Sequence, residues 1–455
     1  MVLRLDAQGL TGDEGFTAQM VKLPWATMFA DLGRIDYNMS AHYIALKAWT
    51  GVFGTSEIAL RVPSLLFALG ALVLWHRLAK SFLGLPIATV STAFLALNPL
   101  FIEVGLTARP YAMLVLWAAL ATLALVRALE GQTRSSWLWY ALAAVVGLHI
   151  QLIAALVLAA HGAFALFYQR RINRYNLEAI GLILVLGIVP TALFLAPADT
   201  LSWIGPLSFR RAAAVSLAVA GGGVFGAIVV ALALVGIVRR PLKRSMKFLP
   251  SALLAVPVLL ILALAPLQSL FVDVYFSVIL APLAQAAALG LARVMRQWTT
   301  LLVPAGLVLA SLGLALTSVT GGMDSNQGWR ELPSMMAGTV MAGDVIAFPN
   351  SYYRIVAEYY ATDPGTGPYP PGDPILPTDM WSTLRPYQLD LLKRTGGQTS
   401  PEVFEPQILN KRRVWLIGLG DTFNRTVRED LEAHGYLLDQ IFMAGDAEAR
   451  LYVAG

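Results

Sequence analysis

The feature that most constrains this chain is a succession of apolar runs separated by short loops. A membrane-spanning helix needs about 20 apolar residues, and a window of that length finds about ten apolar runs. They lie at 57–76, 82–100, 110–126, 136–149, 150–168, 178–197, 211–238, 247–266, 275–292 and 299–319. We expect the region Leu148–Leu152 to be a break between two helices. The sequence therefore predicts a polytopic α-helical membrane protein.

The composition agrees with this class. Hydrophobic residues make up 57% of the chain and charged residues only 13%, whereas an ordinary soluble domain carries about 25% charge. The net charge of +5 would be compatible with nucleic-acid binding, but the positive residues sit in short loops between the apolar runs. We therefore expect no nucleic-acid partner. The absence of cysteine excludes disulfides, thiolate metal sites and cysteine nucleophiles.

The distribution of Lys and Arg predicts the orientation in the membrane. Alternate loops are rich in these residues, which marks them as cytoplasmic. The members of this set are Arg77, Lys80, Arg127, Arg134, Arg170, Arg171, Arg174, Arg239, Arg240, Lys243, Arg244, Lys247, Arg293 and Arg296. The opposite loops hold little beyond Arg109 and Arg210, so residues before the first run and after about residue 320 face the exterior. An exterior N-terminus without a signal sequence predicts that a further transmembrane helix precedes Met1.

Three segments follow from this topology. Residues 1–56 form an exterior loop with two interfacial amphipathic helices: Trp25 and Phe29 recur at helical spacing in the first, and Trp49 and Phe53 in the second. Residues 57–320 form the transmembrane bundle. Residues 321–455 form a small exterior α/β domain, with strands predicted at 343–348, 413–418, 436–443 and 449–454, a helix after Thr422, and a Pro/Gly-rich loop at 363–377.

The residues that could carry chemistry gather on the exterior side. The stretch GLTGDEGFTA contains Asp13 and Glu14; adjacent residues point apart, so we expect one to do chemistry and the other to orient it. Arg109 lies at the outer end of a spanning helix, against the positive-inside trend. It is either a snorkelling arginine or an anion clamp assisted by the helix N-terminus. His149, at the outer break, is either part of the site or a structural histidine.

The order of these motifs resembles glycosyltransferase family 39. The resemblance rests on the acidic pair followed by amphipathic helices, then NPLFIEVGLTARPYAMLVLW and LHIQL, with an α/β domain after GWRE. It implies the C-type glycosyltransferase fold and an inverting sugar transfer from a polyprenyl-phosphate donor on the exterior face. Members include protein O-mannosyltransferases and bacterial enzymes that modify lipids and glycans.

The resemblance also implies roles for individual residues. Asp13 would be the general base and Glu14 the second acid; Arg109, with Tyr111 beside it, would hold the donor phosphate. Two positions depart from the family pattern. Thr107 replaces a glutamate, for which Glu103 is a substitute if the segment is helical. In VDVYFSVILAP, Tyr275 matches the pattern but Val274 replaces an arginine.

The lead hypothesis is a glycosyltransferase of the bacterial inner membrane, multi-pass, with its C-terminal domain periplasmic or extracellular. Its expected partners are the lipid-linked sugar donor, membrane lipids and a glycan, lipid or protein acceptor. Glu103, His149 and Tyr275 are supporting candidates; no cofactor is required, and a metal ion is not indicated. The alternatives are a catalytically silent relative or a polytopic lipid or glycan transporter. A transporter would need acids near the midplane, and none is visible in the apolar runs.

Overall fold

The computed structural model describes residues 5–6, 8–33, 36–169, 172–193, 204, 206–238, 245–266, 270–295, 328–336, 338–341, 343–348, 351–362, 373–376, 411–420 and 422–455. The apolar run at 299–319 and the basic residues at 170–171 and 239–244 lie outside the described residues, as does most of the loop at 363–377.

Helices dominate the described chain. In chain order they are α1 Gly12–Lys22, α2 Trp25–Leu32, α3 Ser40–Phe53, α4 Glu57–Leu83, α5 Leu85–Ala96, α6 Pro99–Leu106, α7 Tyr111–Gly131, α8 Arg134–Ile150, α9 Ala154–Tyr168, α10 Arg174–Ile183, α11 Val189–Leu193, α12 Phe209–Ala220, α13 Gly223–Val238, α14 Leu249–Leu264, α15 Leu280–Val294, α16 Leu332–Met336, α17 Ser351–Thr362 and α18 Thr422–Ala433. Short 3₁₀ segments occupy Tyr37–Met39, Met246–Phe248 and Asp273–Ile279, and a π-helical turn occupies Leu184–Ile188.

The chain divides into two compact units. The helical unit comprises Met1–Val2, Asp36–Ala45 and Arg61–Gly322, and the mixed unit comprises Leu3–Ile35, Leu46–Leu60 and Met323–Gly455. The segment boundaries predicted at residues 56 and 320 concern membrane topology rather than packing, and they stay predictions.

Several helices are long and apolar enough to cross a membrane. Four described segments meet this test alone: Glu57–Leu83, Tyr111–Gly131, Arg174–Ala192 and Asp273–Val294. Two sharply bent pairs raise the number to as many as six, and α9 and α14 are shorter apolar helices. The predicted break near residue 150 is confirmed, because α8 ends at Ile150 and α9 begins at Ala154. The total of about ten spans stays a prediction.

Two of the predicted runs are not continuous helices. The run at 211–238 is divided between α12 and α13, whose axes differ by 86°. Gly221 and Gly222 make this turn with φ of +117° and +82°, values that residues with a side chain rarely adopt. The run at 82–100 bends by 62° between α5 and α6, where Asn98 caps α6 by accepting the Phe101 N–H at 3.0 Å. A hydropathy window misses both bends because glycine and single polar residues barely change its average.

Small residues set a close contact between α13 and α15 in the helical unit. A Cβ added to Gly290 of α15 would collide with the backbone carbonyl of Leu232 in α13, and one added to Gly236 would collide with that of Ala286. Helices in a lipid environment use such small residues to bring their backbones together. Arg293 reinforces the contact by donating to the carbonyl oxygens of Val235 and Gly236 at 2.7 and 2.9 Å.

The C-terminal part of the mixed unit contains one five-stranded sheet. Its strands are β1 Val345–Ala347, β2 Asp373–Leu376, β3 Arg413–Leu419, β4 Tyr436–Ala444 and β5 Ala447–Ala454, in the spatial order β2-β1-β3-β5-β4. Strands β2, β1 and β3 are parallel, whereas β3, β5 and β4 are antiparallel. The four predicted strands are present, but the predicted loop at 363–377 also contains the edge strand β2. A strand pattern that begins Asp373-Pro374 at a sheet edge is hard to recognise in a Pro-rich segment.

The N-terminal helices of the mixed unit are amphipathic. In α2, Met28 and Leu32 are buried, while Trp25 and Phe29 are exposed and stack with ring centroids 5.8 Å apart. Lys47 donates hydrogen bonds to the carbonyl oxygens of Val21 and Leu23 at the end of α1. The helix α1 itself packs against α17. Helix α2 therefore combines a face buried in the unit with an exposed aromatic face.

Candidate active site

The seven candidate residues fall into both units. Asp13 and Glu14 belong to the mixed unit, and Glu103, Arg109, Tyr111, His149 and Tyr275 belong to the helical unit.

The two adjacent acids have opposite environments. Helix α1 begins at Gly12, and Thr11 is its N-cap. The Thr11 Oγ1 accepts the Glu14 N–H at 3.3 Å, and the Glu14 carboxylate accepts the Thr11 N–H at 3.1 Å. This reciprocal capping box leaves Glu14 fully buried, whereas the Asp13 side chain is exposed. Asp13 is thus the exposed acid of the pair, and Glu14 fixes the start of the helix that carries both.

Arg109 lies in the short connection between α6 and α7. Helix α6 ends at Leu106, and Thr107 leaves it in an extended conformation with φ −109° and ψ 141°. The Arg109 N–H donates to the Thr107 carbonyl at 2.8 Å, and Pro110 then caps α7. The half-buried Arg109 side chain is therefore presented at the N-terminus of a 21-residue helix. Both the guanidinium and this helix end favour an anion.

A histidine that the sequence reasoning missed lies beside Arg109. His42 of α3 is buried, hydrogen-bonds the Ala108 backbone and interacts electrostatically with Arg109. Burial, and then the positive charge of Arg109, lower the pKa of His42 to about 3. His42 is therefore neutral at physiological pH and adds no second charge to the site. A lone histidine on a short amphipathic helix gives no sequence signal for this contact.

Two aromatic candidates meet across neighbouring elements. Tyr111 is the first residue of α7, and Tyr275 belongs to the 3₁₀ segment Asp273–Ile279. Their ring centroids are 6.5 Å apart. The same 3₁₀ segment contacts α6, and Asp273 lies within electrostatic range of Glu103. The connection before α7 is therefore bordered by two tyrosines and two carboxylates.

His149 occupies the end of α8. Its Nδ1 lies 2.9 Å from the Val145 carbonyl oxygen, and its Nε2 lies 3.4 Å from the Tyr37 hydroxyl. Next to it, the Asn38 side-chain amide donates to Gln151 at 2.8 Å. These contacts join the 3₁₀ segment Tyr37–Met39 to the break between α8 and α9. These hydrogen bonds agree with the interpretation of His149 as a structural histidine.

A further cation lies near the Asp273–Ile279 segment. Arg211 of α12 donates through Nε to the carbonyl oxygen of Phe271 at 3.2 Å. The sequence pattern indicated only its neighbour Arg210. Two adjacent arginines at a helix start look equivalent in a sequence, and only the placement of α12 shows which one contacts Phe271.

Comparison with known proteins gives two independent findings. Residues 41–194 match the family model of the dolichyl-phosphate-mannose-protein mannosyltransferases, a segment that contains Glu103, Arg109, Tyr111 and His149. No curated protein matches the sequence significantly.

Solved structures give the second finding. The apo structure of ArnT from Cupriavidus metallidurans aligns over 100% of this chain and 96% of its own, with 13% identity and a TM-score of 0.59. ArnT from the same organism bound to undecaprenyl phosphate aligns with the same coverage, 13% identity and a TM-score of 0.54. The arabinofuranosyltransferase AftD from Mycobacteria aligns over 90% of this chain and 36% of its own, with 16% identity and a TM-score of 0.47.

The identities to ArnT are low, so this similarity speaks for the fold alone. The predicted fold class is confirmed: the chain is a multi-pass membrane protein with apolar helices and a small C-terminal sheet. The predicted resemblance is confirmed as well, since residues 41–194 match the dolichyl-phosphate-mannose-protein mannosyltransferase family within a chain that has the C-type glycosyltransferase fold.

Proposed function

We propose that the protein transfers a sugar from a polyprenyl-phosphate donor to a hydroxyl group of an acceptor, with inversion at the anomeric carbon. The observation that carries this proposal is the half-buried Arg109 at the N-terminus of α7, inside the segment that matches the mannosyltransferase family. The undecaprenyl phosphate bound by ArnT supports a lipid phosphate as the leaving group. The reaction takes place on the exterior face of a bacterial inner membrane.

In the proposed reaction the acceptor oxygen attacks the anomeric carbon while its proton passes to the Asp13 carboxylate. The bond between the anomeric carbon and the phosphate oxygen breaks, and its electron pair leaves with the polyprenyl phosphate. Arg109 and the N-terminus of α7 stabilise the charge that grows on this phosphate. The neutral His42 supports the guanidinium without competing for the anion.

The remaining residues have supporting roles in this proposal. Glu14 orients Asp13 through the capping box, and Tyr111 and Tyr275 line the approach to Arg109. Glu103 stands in for the acid that Thr107 replaces, and His149 holds the α8–α9 break. Arg211 provides a second cation despite Val274. The proposed reaction requires no metal ion, so sugar transfer should proceed in the presence of EDTA.

The test is sugar transfer from a panel of polyprenyl-phosphate sugars, in membranes that contain the full chain. We expect Arg109→Ala to lower turnover by about 10²–10³-fold, the usual loss for a donor that stabilises developing charge. Asp13→Asn should lower it by about 10²–10⁴-fold, as for a general base. Arg109→Lys should retain part of the activity, because lysine keeps the charge but not the planar pair of donors.

A matched control is Arg134→Ala. Arg134 also stands at a helix start, but it is exposed and pairs with Glu178 at 2.7 Å. This variant should transfer sugar normally. The proposal is wrong if no donor is consumed while an active relative works under the same conditions. It is also wrong if Arg109→Ala transfers sugar as fast as Arg134→Ala. A catalytically silent relative or a transporter is then the better interpretation.

A further inference from the structure

The loop before the acidic pair is bound, at Asp6, Gln8 and Leu10, by side chains from distant parts of the sequence. Arg330, in the GWRE motif, donates to the backbone carbonyl oxygens of Asp6 and Gln8 at 2.9 and 3.0 Å. Its Nε also donates to Glu57 Oε1 at 3.0 Å, and a second nitrogen donates to Glu57 Oε2. One guanidinium therefore joins the start of α4 to two carbonyl groups of the loop.

A tyrosine completes the same network. Tyr360 of α17 is fully buried; its hydroxyl donates to Glu57 Oε1 at 2.6 Å and accepts the Leu10 N–H at 2.5 Å. Burial, and then the Glu57 carboxylate, raise the pKa of Tyr360 well above its usual range. The phenol therefore keeps its proton and acts as donor and acceptor at once.

Two glycines, Gly9 before Leu10 and Gly15 after Asp13, pack closely against α17. A Cβ on Gly9 would lie 3.0 Å from the Tyr360 hydroxyl, and one on Gly15 would lie 2.7 Å from the Val356 Cβ. Neither position has room for a side chain without movement of its neighbour. The backbone that leads into the capping box is thus fixed by hydrogen bonds and by packing.

The arrangement is better suited to positioning than to stability. A buried ion pair contributes little net stability, because removing two charges from water costs about as much as their attraction returns. The side chains of Glu57 and Arg330 are only 10% and 28% exposed. The remaining hydrogen bonds of Arg330 go to backbone carbonyl groups of the loop before α1. The buried pair and Tyr360 together bind three backbone groups that precede Thr11: the carbonyl groups of Asp6 and Gln8 and the N–H of Leu10.

We propose that Glu57, Arg330 and Tyr360 form a clamp that positions the Asp13 carboxylate for the transfer reaction. These are positioning residues, since they act through the loop and the capped α1 helix rather than on the substrate. The inference rests on the proposed function, and it gives the C-terminal domain a part in catalysis that fold similarity alone does not assign.

The clamp is tested with Tyr360→Phe, Arg330→Met and the conservative variant Arg330→Lys in the full-length protein. A matched control is Arg413→Met, because Arg413 also pairs with a buried acid, Asp344, at 2.8 Å and donates to the Thr339 carbonyl at 2.8 Å. Two readouts are taken: hydrogen exchange of peptides covering residues 5–15, and kcat and KM for transfer.

We expect Tyr360→Phe and Arg330→Met to speed exchange at Leu10 and Thr11 by about tenfold or more. Their kcat should fall by at least about tenfold with KM within about threefold, because small misplacements of a catalytic group are costly. Arg330→Lys should recover part of both, and Arg413→Met should change neither.

The outcomes separate the clamp from the proposed function. Unchanged exchange in Tyr360→Phe overturns the clamp, and so does faster exchange with unchanged kcat. If Asp13→Asn is inactive while Tyr360→Phe is fully active, only the clamp fails. If Asp13→Asn transfers sugar normally, the proposed function fails at its base, and the catalytic purpose of the clamp falls with it.

Discussion

The two acids of the GDEG stretch should respond oppositely to conservative substitution. Glu14 is buried and its carboxylate accepts the Thr11 N–H, whereas Asp13 is exposed one residue earlier. We predict that Glu14→Gln keeps transfer within about threefold of the parent, because glutamine also serves in a capping box. Asp13→Asn keeps the fold and loses the base.

The magnitudes follow from the contacts. Glu14→Ala leaves the part-buried Thr11 N–H without its acceptor, and the loss of such a capping interaction costs about 0.5–2 kcal/mol. A local cost of only 1–2 kcal/mol already corresponds to about 5- to 30-fold in an opening equilibrium. Asp13→Asn gives up at most about 0.3–1 kcal/mol of interaction with the helix dipole.

The assay pairs hydrogen exchange at residues 11–15 with sugar transfer. Glu14→Ala should exchange at least about fivefold faster and lose activity in parallel, while Glu14→Gln should match the parent in both. Asp13→Asn should exchange almost normally and be inactive. Loss of transfer in Glu14→Gln with exchange unchanged would refute the reasoning, because it would mean that the Glu14 charge acts in the chemistry.

Two further predictions concern the helical unit. Gly290→Ala should lower the free energy of unfolding by about 1–3 kcal/mol, because the new Cβ meets the Leu232 backbone carbonyl. Gly162 has open space around it, so Gly162→Ala should leave the free energy of unfolding unchanged or raise it by up to about 1 kcal/mol through helix propensity. Thermal unfolding in detergent compares the two variants, and equal losses of stability would contradict the close contact between α13 and α15. Burial, and then the positive charge of Arg109, lower the pKa of His42 in the folded protein to about 3, from about 6.5 for an unperturbed histidine. The stability that neutral His42 provides is complete above about pH 6.5 and is lost as pH falls toward 3. His42→Gln should therefore make the melting temperature fall less steeply between pH 7 and 5. An unchanged dependence of melting temperature on pH would contradict a buried neutral histidine beside Arg109.

Local patterns determined much of this protein. The apolar runs predicted most of the helices, the break near residue 150 and the fold class, because hydrophobicity over 20 residues reflects the solvent that a segment occupies. Strand-forming residue types predicted four strands of the C-terminal sheet, and the residue order around Arg109 indicated the similarity to the mannosyltransferase family model. These signals are short-range, so they survive in a single sequence.

Other features depended on contacts between distant residues. The 86° bend between α12 and α13 arises from glycines that a hydropathy window counts as neutral. The contact of His42 with Arg109 joins residues from two helices, and neither residue type announces a partner. The environments of Glu14 and Asp13 became distinct only in the folded chain, where Glu14 is buried and Asp13 is exposed.

The clamp shows the same limit most clearly. Leu10 and Tyr360 are 350 residues apart, and Arg330 reaches Gln8 across 322 residues. The sequence by itself predicted most of the helices and four of the strands, and it supplied the candidate site residues, because these inferences follow from local hydrophobicity and residue type. Only the tertiary structure decided which backbone groups each buried charge binds, because a buried polar group must find its partner wherever the packed chain brings one within hydrogen-bond distance.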